Sequence, residues 1–150
     1  MKYLDSKNIL YRIPEPGDFQ SVLNLLTESK LPVQDIIQGK QKFIVAEFDG
    51  NIIGCAGFEA YEETALFRSL AVHSNYRNLK IGELLTGKVM DLAGKNGIRE
   101  FYLLTNTAEG FFRKRGWNVI DRKEVPSGIT ISSEFSFLCP STAVCMKYMF

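Results

Sequence analysis

The segment FRSLAVHSNYRNLKIGELLTGKVMDL, residues 67–92, constrains the fold more than any other. FRSLAV is an apolar, strand-like run. YRNLKIG is a loop. GELLTGKVMDL places Leu84, Leu85, Val89 and Leu92, with Ile81 before them, at helical spacing. The first backbone N–H groups of such a helix have no partner inside it. They lie at the positive end of the helix dipole, where an anion such as a pyrophosphate fits. Arg77 opens the loop and Gly82 closes it, whereas Asn78 and Lys80 stand where glycine is the usual choice. Glycine serves there for positive φ or close backbone approach, and asparagine tolerates left-handed geometry better than most residues. For Lys80 three readings stay open. Its ammonium adds a contact to an anion, it points into solvent while the backbone binds alone, or it impairs binding.

The remaining chain alternates in element type, which predicts a mixed α/β fold. Leu10–Pro14 reads as a first strand. Pro16, Gly17 and Asp18 start a helix whose apolar face is Phe19, Val22, Leu23 and Leu26. A short second helix is expected over Val33–Gln38. KFIVAEF, the Asp49-Gly50 turn and NIIGCAGFEAY form a hairpin, and TALFRSLAV follows the Glu62-Glu63 turn as a third antiparallel strand. The helix that follows ends near Gly94 or Gly97. EFYLLT is then a buried strand, and the strand–helix–strand crossover makes it parallel to TALFRSLAV. TAEGFFRKRG is a helix closed by Gly116, and WNVID is a strand. Short helical turns are expected between Arg122 and Ser141, and TAVCMKYMF is a last strand.

A chain of 150 residues suits one domain over 1–150 with a single core. A net charge of +1 argues against nucleic acid or a polybasic membrane contact. No apolar run approaches the roughly 18 residues of a membrane span, and MKYLDSKNILYR lacks the apolar centre of a signal peptide. The expected location is the cytoplasm. Cys55, Cys139 and Cys145 are too few and too widely spaced for a disulfide framework, and with His73 the chain's one histidine, no zinc or other metal site is expected. Packing is the reading for all three thiols; for Cys139 and Cys145 the alternative is a catalytic nucleophile, although no histidine lies near in sequence to activate one.

FRSLAVHSNYRNLKIGELL resembles motif A of the GNAT N-acetyltransferase superfamily: Arg or Gln, two residues, Gly, one residue, then Gly or Ala. The element order is similar over nearly the whole chain. LAV, YR, GELL, LLT and FF-R-GW resemble the acetyltransferase domain of N-acetylglutamate synthases. LFRSLAV, LLTNTAEGFFRKRGW and EFSFLCPSTAVCM look most like the arsenic-resistance N-acetyltransferases. The resemblance implies a mixed, mostly antiparallel sheet with one parallel, splayed strand pair and flanking helices, and acetyl-CoA as cosubstrate. Arg77 and Gly82 take the first and last motif positions, with Asn78 between them. The N–H groups of Leu79, Lys80, Ile81, Gly82 and Glu83 would face the pyrophosphate. Leu70, Ala71 and Val72 would pair by backbone with the pantetheine arm. Asn106, Thr107 and Ala108 would open a helix on the other side of the thioester slot.

Transfer of an acetyl group to an amine needs a neutral amine, hence a base or a water path. It also needs a donor for the oxyanion, which the backbone N–H of Leu70 or Ala71 can supply. Glu59, at a strand end after Gly54, Ala56 and Gly57, is the candidate base; the alternative is a solvated carboxylate. Glu109, three residues after Asn106, fits a capping box better than catalysis. The tyrosine that many such enzymes use as an acid is replaced by Phe112. Arg68 sits in an apolar strand and needs a partner: the carboxylate of a substrate, or an internal ion pair with Glu59 as one possibility. Thr105 is a substrate contact or a packing residue. Arg113-Lys114-Arg115 is a solvated face or a contact for the 3′-phosphate of the cofactor.

The expected activity is acetyl transfer from acetyl-CoA to the amine of a small amino-acid-like acceptor, by direct attack on the thioester. The alternative is a module that binds acyl-CoA with little or no catalysis. A protein or peptide N-acetyltransferase is a third option without a specific feature. A homodimer through an edge strand, the C-terminal one for example, is a further expectation.

Overall fold

A computed structural model describes residues 8–130 and 142–150. Among the described residues, seven strands form a sheet: β1 (Leu10–Arg12), β2 (Lys42–Phe48), β3 (Asn51–Tyr61), β4 (Thr64–Val72), β5 (Glu100–Thr105), β6 (Asn118–Val119) and β7 (Val144–Met149). Their order is β1-β2-β3-β4-β5-β7-β6. β5 runs parallel to β4, from Thr64↔Glu100 to Leu66↔Tyr102. β1 is antiparallel to β2, and β7 is antiparallel to both β5 and β6. The helices are α1 (Phe19–Glu28), α2 (Ile81–Lys95), α3 (Glu109–Arg113) and α4 (Ser127–Thr130). Backbone contacts divide the chain into two compact units, Met1–Gly57 with Ser69–Leu92, and Phe58–Arg68 with Ala93–Phe150.

In the first unit, the β2–β3 connection is closed by Asp49 and Gly50, both left-handed (φ 53° and 81°), which is the geometry that lets a two-residue turn follow the twist of the strands. α1 buries Val22, Leu25 and Leu26 against Phe43, Val45, Cys55 and Ala71. α2 buries Ile81, Leu85 and Val89, one per turn. Each such side chain is worth about 1.5–3 kcal/mol when removed from water. Gly54 sets how closely α2 approaches: a Cβ there would lie 2.9 Å from Leu85 Cδ1 and 3.2 Å from Ile81 Cγ2.

The second unit is built on aromatic contacts. Phe67 packs edge-on against Phe101, Phe112 and Trp117, with ring centroids 5.5–5.8 Å apart. Leu66, Tyr102, Val125, Ile129 and Cys145 form another buried group.

Several expectations are corrected. The helix expected over Val33–Gln38 is a pair of turns, Ile36 N–H to Val33 O and Lys40 N–H to Ile37 O. The buried Gln41 side chain accepts the Ile37 N–H and donates to Asp35 O, so these backbone groups are taken outside any helix. The strand expected at WNVID shrinks to Asn118–Val119, and the helix expected up to Gly116 ends as α3 at Arg113. The C-terminal strand, expected at an edge, is partly flanked: β7 lies between β5 and β6 in the sheet order, but the two-residue β6 pairs only with Lys147 and Met146. Cys139 and much of the Arg122–Ser141 segment lie outside the described residues; within it, a 3₁₀ turn (Arg122–Glu124) and α4 are seen.

Candidate active site

The loop from β4 to α2 belongs wholly to the first unit. His73 donates its N–H to Ile53 O (2.8 Å), fixing the strand exit. Its Nδ1 accepts the Asn75 N–H at 3.1 Å, capping a 3₁₀ turn over Ser74–Tyr76. The Tyr76 ring rests against His73 and Phe48. Arg77 Nε donates to Val72 O at 3.4 Å, which ties the arginine back to the end of β4.

Asn78 and Lys80 are both left-handed, with φ of 67° and 63°. Lys80 thus takes the backbone conformation for which glycine is usual. For an L-residue this costs on the order of 1–2 kcal/mol. Strain of this kind persists only where the surroundings impose it, and it clusters at binding sites. Lys80 O accepts the Leu84 N–H (3.1 Å), so the helix begins directly after the left-handed residue. Ile81 is buried behind it, whereas Arg77, Asn78 and Lys80 are exposed, and Leu79 and Gly82 half-exposed. Alternating left-handed residues ahead of a helix start form a concave array of N–H groups suited to an anion.

Another left-handed residue lies inside β4. Ser69 is buried and has φ 62°. Such a residue bends its strand and re-aims the groups after it, as a bulge does. The residues after it are Leu70, Ala71 and Val72, the stretch expected to meet the pantetheine arm. Cys55 Sγ lies 3.4 Å from Ser69 O as a donor. Sequence carried no signal for this bend, because serine has no strong left-handed preference.

The charged cluster lies in the second unit. Arg68 Nη1 donates to Glu59 Oε1 at 2.7 Å, with the two side chains 0% and 4% exposed. Tyr61 Oη donates to Glu59 Oε2, and the Tyr61 ring packs beneath Gly128 of α4. The internal ion pair, one of the two readings of Arg68, is therefore present. The alternative reading of Glu59 as a solvated carboxylate is excluded by its burial. Tyr61 was missed; its two-residue spacing from Glu59, which puts both on one face of β3, was the available signal.

Thr105 Oγ1 accepts the Ala108 N–H at 3.0 Å, so both groups are engaged in the turn entering α3. Asn106 and Thr107 are exposed. Glu109 forms no capping box; it pairs with Arg113 one turn on, at 2.8 Å. Arg115 donates to Phe111 O and stacks on the Phe111 ring, 3.6 Å from its centroid. Phe112 is buried against Phe67 and Trp117. Burial pushes the Cys55 thiol up to about 12 and Cys145 to about 11, as befits packing residues. Among the described residues, no helix is long and apolar enough to cross a membrane.

Comparison with known proteins follows the same lines. The acetyltransferase (GNAT) domain family matches residues 39–119. An uncharacterized N-acetyltransferase of Chlorobaculum tepidum is 36% identical over 101 residues, 67% of this chain and 64% of that protein. An amino-acid acetyltransferase of Aeromonas salmonicida is 37% identical over 87 residues, 57% of this chain but 20% of that protein. This chain thus spans less than two thirds of either relative. An N-acetylglutamate synthase from Neisseria gonorrhoeae, solved with coenzyme A and N-acetyl-glutamate, superposes with a TM-score of 0.79 at 19% identity, covering 94% of this chain and 35% of that one. The sheet order with its parallel β4–β5 pair, the strand–loop–helix of residues 64–95 and the match over residues 39–119 lead to one conclusion: the chain belongs to the GNAT acetyltransferase family.

Proposed function

We propose that this protein is an acetyl-CoA-dependent N-acetyltransferase acting on the amine of a small amino-acid-like acceptor. The observation that carries this reading is the left-handed pair Asn78 and Lys80 ahead of α2. The chain accepts backbone strain to keep the anion-binding curve where its sequence lacks glycine. Relatives named amino-acid acetyltransferase supply the acceptor class. The likeness of several motifs to arsenic-resistance acetyltransferases bears only on which acceptor of that class is used.

In this reading the pyrophosphate of coenzyme A sits on the N–H groups from Leu79 to Glu83, with Arg77 adding charge at the rim. The pantetheine arm pairs with the backbone of Leu70, Ala71 and Val72. The neutral amine attacks the thioester carbonyl carbon. The oxyanion that forms takes a hydrogen bond from the Leu70 N–H, re-aimed by the bend at Ser69. The C–S bond then breaks, coenzyme A leaves as thiolate, and the surplus amine proton passes to solvent or to Glu59. Proton transfer to Glu59 requires the carboxylate to loosen its hold on Arg68. Contact of Arg68 with the acceptor's carboxylate requires its guanidinium, 0% exposed and paired with Glu59, to open toward the acceptor. Motif resemblance assigns Asn106, Thr107 and Ala108 to the cofactor, and Thr105 is the candidate acceptor contact; the Ala108 N–H is committed to Thr105 Oγ1.

The second reading, an acyl-CoA-binding module without efficient catalysis, draws on two observations. Glu59 is closed onto Arg68 and Tyr61, and Phe112 offers no hydroxyl. Incubation with acetyl-CoA and a panel of amino acids, following free thiol, separates the two. Thiol release dependent on one amino acid is the expected outcome. Tight acetyl-CoA binding with no turnover on any amine would establish the binder. Failure to bind coenzyme A would remove both.

A further inference from the structure

His73 puts an imidazole at the start of a helical turn, where serine, threonine, aspartate or asparagine is the usual cap. Its Nδ1 accepts the Asn75 N–H at 3.1 Å, so the lone pair is on Nδ1 and the proton on Nε2. The turn it caps, Ser74–Tyr76, is closed by the Tyr76 N–H to His73 O at 2.9 Å. The Tyr76 ring stands edge-on to the imidazole, with centroids 5.6 Å apart. Arg77 follows, and after it the left-handed residues Asn78 and Lys80. Positive φ at two L-residues persists only while both ends of the loop are held. One end is α2, where Lys80 O takes the Leu84 N–H. The other end is this turn.

A neutral imidazole holds the Asn75 N–H. An imidazolium cannot, because both of its nitrogens are then donors. Imidazole is the side chain that ordinarily changes charge between pH 5 and 8, and His73 is the chain's one histidine. It lines a cavity of about 430 Å³ together with Asp18 and Glu28, which bracket α1, and with Asn51 from the hairpin. Asp18 is held by Arg12, whereas Glu28 is exposed at the end of α1 and can meet a charged imidazole. On the loop itself, the nearby charge is Arg77, tied back to Val72 O.

We infer that His73 is a positioning residue, a pH-dependent catch on the phosphate loop. Neutral, it braces the turn before Arg77 and so the curve of N–H groups from Leu79 to Glu83. Protonated, it lets the turn go. The inference rests on the acetyl-CoA reading for its ligand, but not for the state of the cap. Asparagine is the discriminating substitute, since its carbonyl oxygen also caps and does not titrate. Alanine removes the acceptor.

The experiment compares wild type, His73→Asn and His73→Ala as full chains, by calorimetric titration with acetyl-CoA from pH 8 to pH 5.5. Affinities are expressed relative to His73→Asn at each pH, because the cofactor's own phosphates titrate alike in all three. At pH 8, His73→Ala should bind about threefold to tenfold more weakly than wild type, the worth of one cap. His73→Asn should recover most of that loss. At pH 5.5 the wild type should fall to the level of His73→Ala, about threefold to tenfold below His73→Asn. Nitrogen-15 spectra at pH 8 should show the Nε2–H tautomer, and the Asn75 amide should lose its exchange protection on acidification in wild type but not in His73→Asn. A wild-type to His73→Asn ratio that does not change with pH overturns the catch. So does a wild type that binds more tightly than His73→Asn at pH 5.5, since the imidazolium would then attract the cofactor. An Nδ1–H tautomer at pH 8, or a His73→Asn variant as weak as His73→Ala there, overturns it too. If His73→Ala does not fold, the wild-type to His73→Asn comparison decides alone. If no variant binds acetyl-CoA, that reading falls by itself, and the tautomer and the Asn75 exchange still decide the catch.

Discussion

The β4–α2 loop and the Glu59–Arg68–Tyr61 cluster solve opposite problems. The loop presents backbone N–H groups, and its side chains at Arg77, Asn78 and Lys80 are exposed. Its chemistry depends on φ and ψ, so a residue type is tolerated if it can bear the conformation. The cluster is built from side-chain charge in a closed interior. Its chemistry depends on residue identity, since each partner's burial is tolerable only while the other is present. The lesson is where substitution hurts. Side chains can be cut from the loop with little loss or even some gain in stability, whereas no single cut is harmless in the cluster.

Arg68→Ala is the sharpest way to break this contrast. It leaves Glu59 buried without its guanidinium and should cost about 3–5 kcal/mol in a urea unfolding experiment. A loss below about 1 kcal/mol would mean that the pair does not hold the second unit. Replacing both partners at once, Glu59→Leu with Arg68→Met, should recover most of the loss, because apolar substitutes for a whole buried pair are often neutral.

At Lys80 the contrast predicts opposite signs for two substitutions. Lys80→Gly relieves the left-handed strain and should stabilise by up to about 1 kcal/mol, while Lys80→Val, branched at Cβ, should destabilise by about 1–2 kcal/mol. Equal stability of the two variants would show that the loop is not held at positive φ. Acetyl-CoA titrations at two salt concentrations then locate the ammonium. A Lys80→Gly affinity that keeps the wild-type salt dependence places Lys80 in solvent.

Arg77→Ala should weaken acetyl-CoA binding about tenfold, the range of one charge-assisted hydrogen bond, with stability unchanged within about 0.5 kcal/mol. Calorimetric titration and thermal melting read the two halves separately. A stability loss without a binding loss would recast Arg77 as a brace for Val72 O rather than a ligand contact.

The smallest effect lies at an ion pair that belongs to neither region and calibrates them. Arg12 donates to Asp18 and Glu47 and holds the Asp18 carboxyl below its ordinary value of 3.8. A carboxyl depressed in the folded state stabilises above its unfolded value and loses that contribution as the pH falls through the folded one. Asp18→Asn should therefore remove part of the stability lost on acidification below about pH 4. The pair is partly exposed, so the effect should stay under about 1 kcal/mol. An acid limb identical to wild type would show that the pair contributes nothing.

Sequence made the central strands legible to the residue, because β2, β3, β4 and β5 are apolar runs bounded by Asp49-Gly50, Glu62-Glu63 and polar ends. It made the phosphate loop legible through the strand, loop and helix around Arg77 and Gly82. It also offered the Arg68–Glu59 pair as one of two readings. What it hid are long-range captures. Gln41 takes backbone groups from residues 35 and 37 and prevents a helix that local pattern favours. The left-handed turn of Ser69 belongs to no propensity, and Cys55, 14 residues away, is its contact. The position of β7 inside the sheet is set by pairing across sequence distance, which no local signal encodes.

That position of β7 has a consequence for synthesis. The strand pairs with β5 on one side and β6 on the other, so β6 reaches the sheet only through a strand made later. As the chain emerges from the ribosome, β5 waits with an open edge until Val144–Met149 has been translated. Non-local pairing of this kind forms slowly, and an open strand edge is a template for wrong partners. The second unit must therefore complete its sheet after the first has all of its residues in hand, and stalled or truncated chains will carry an unfinished edge that chaperones and proteases can find.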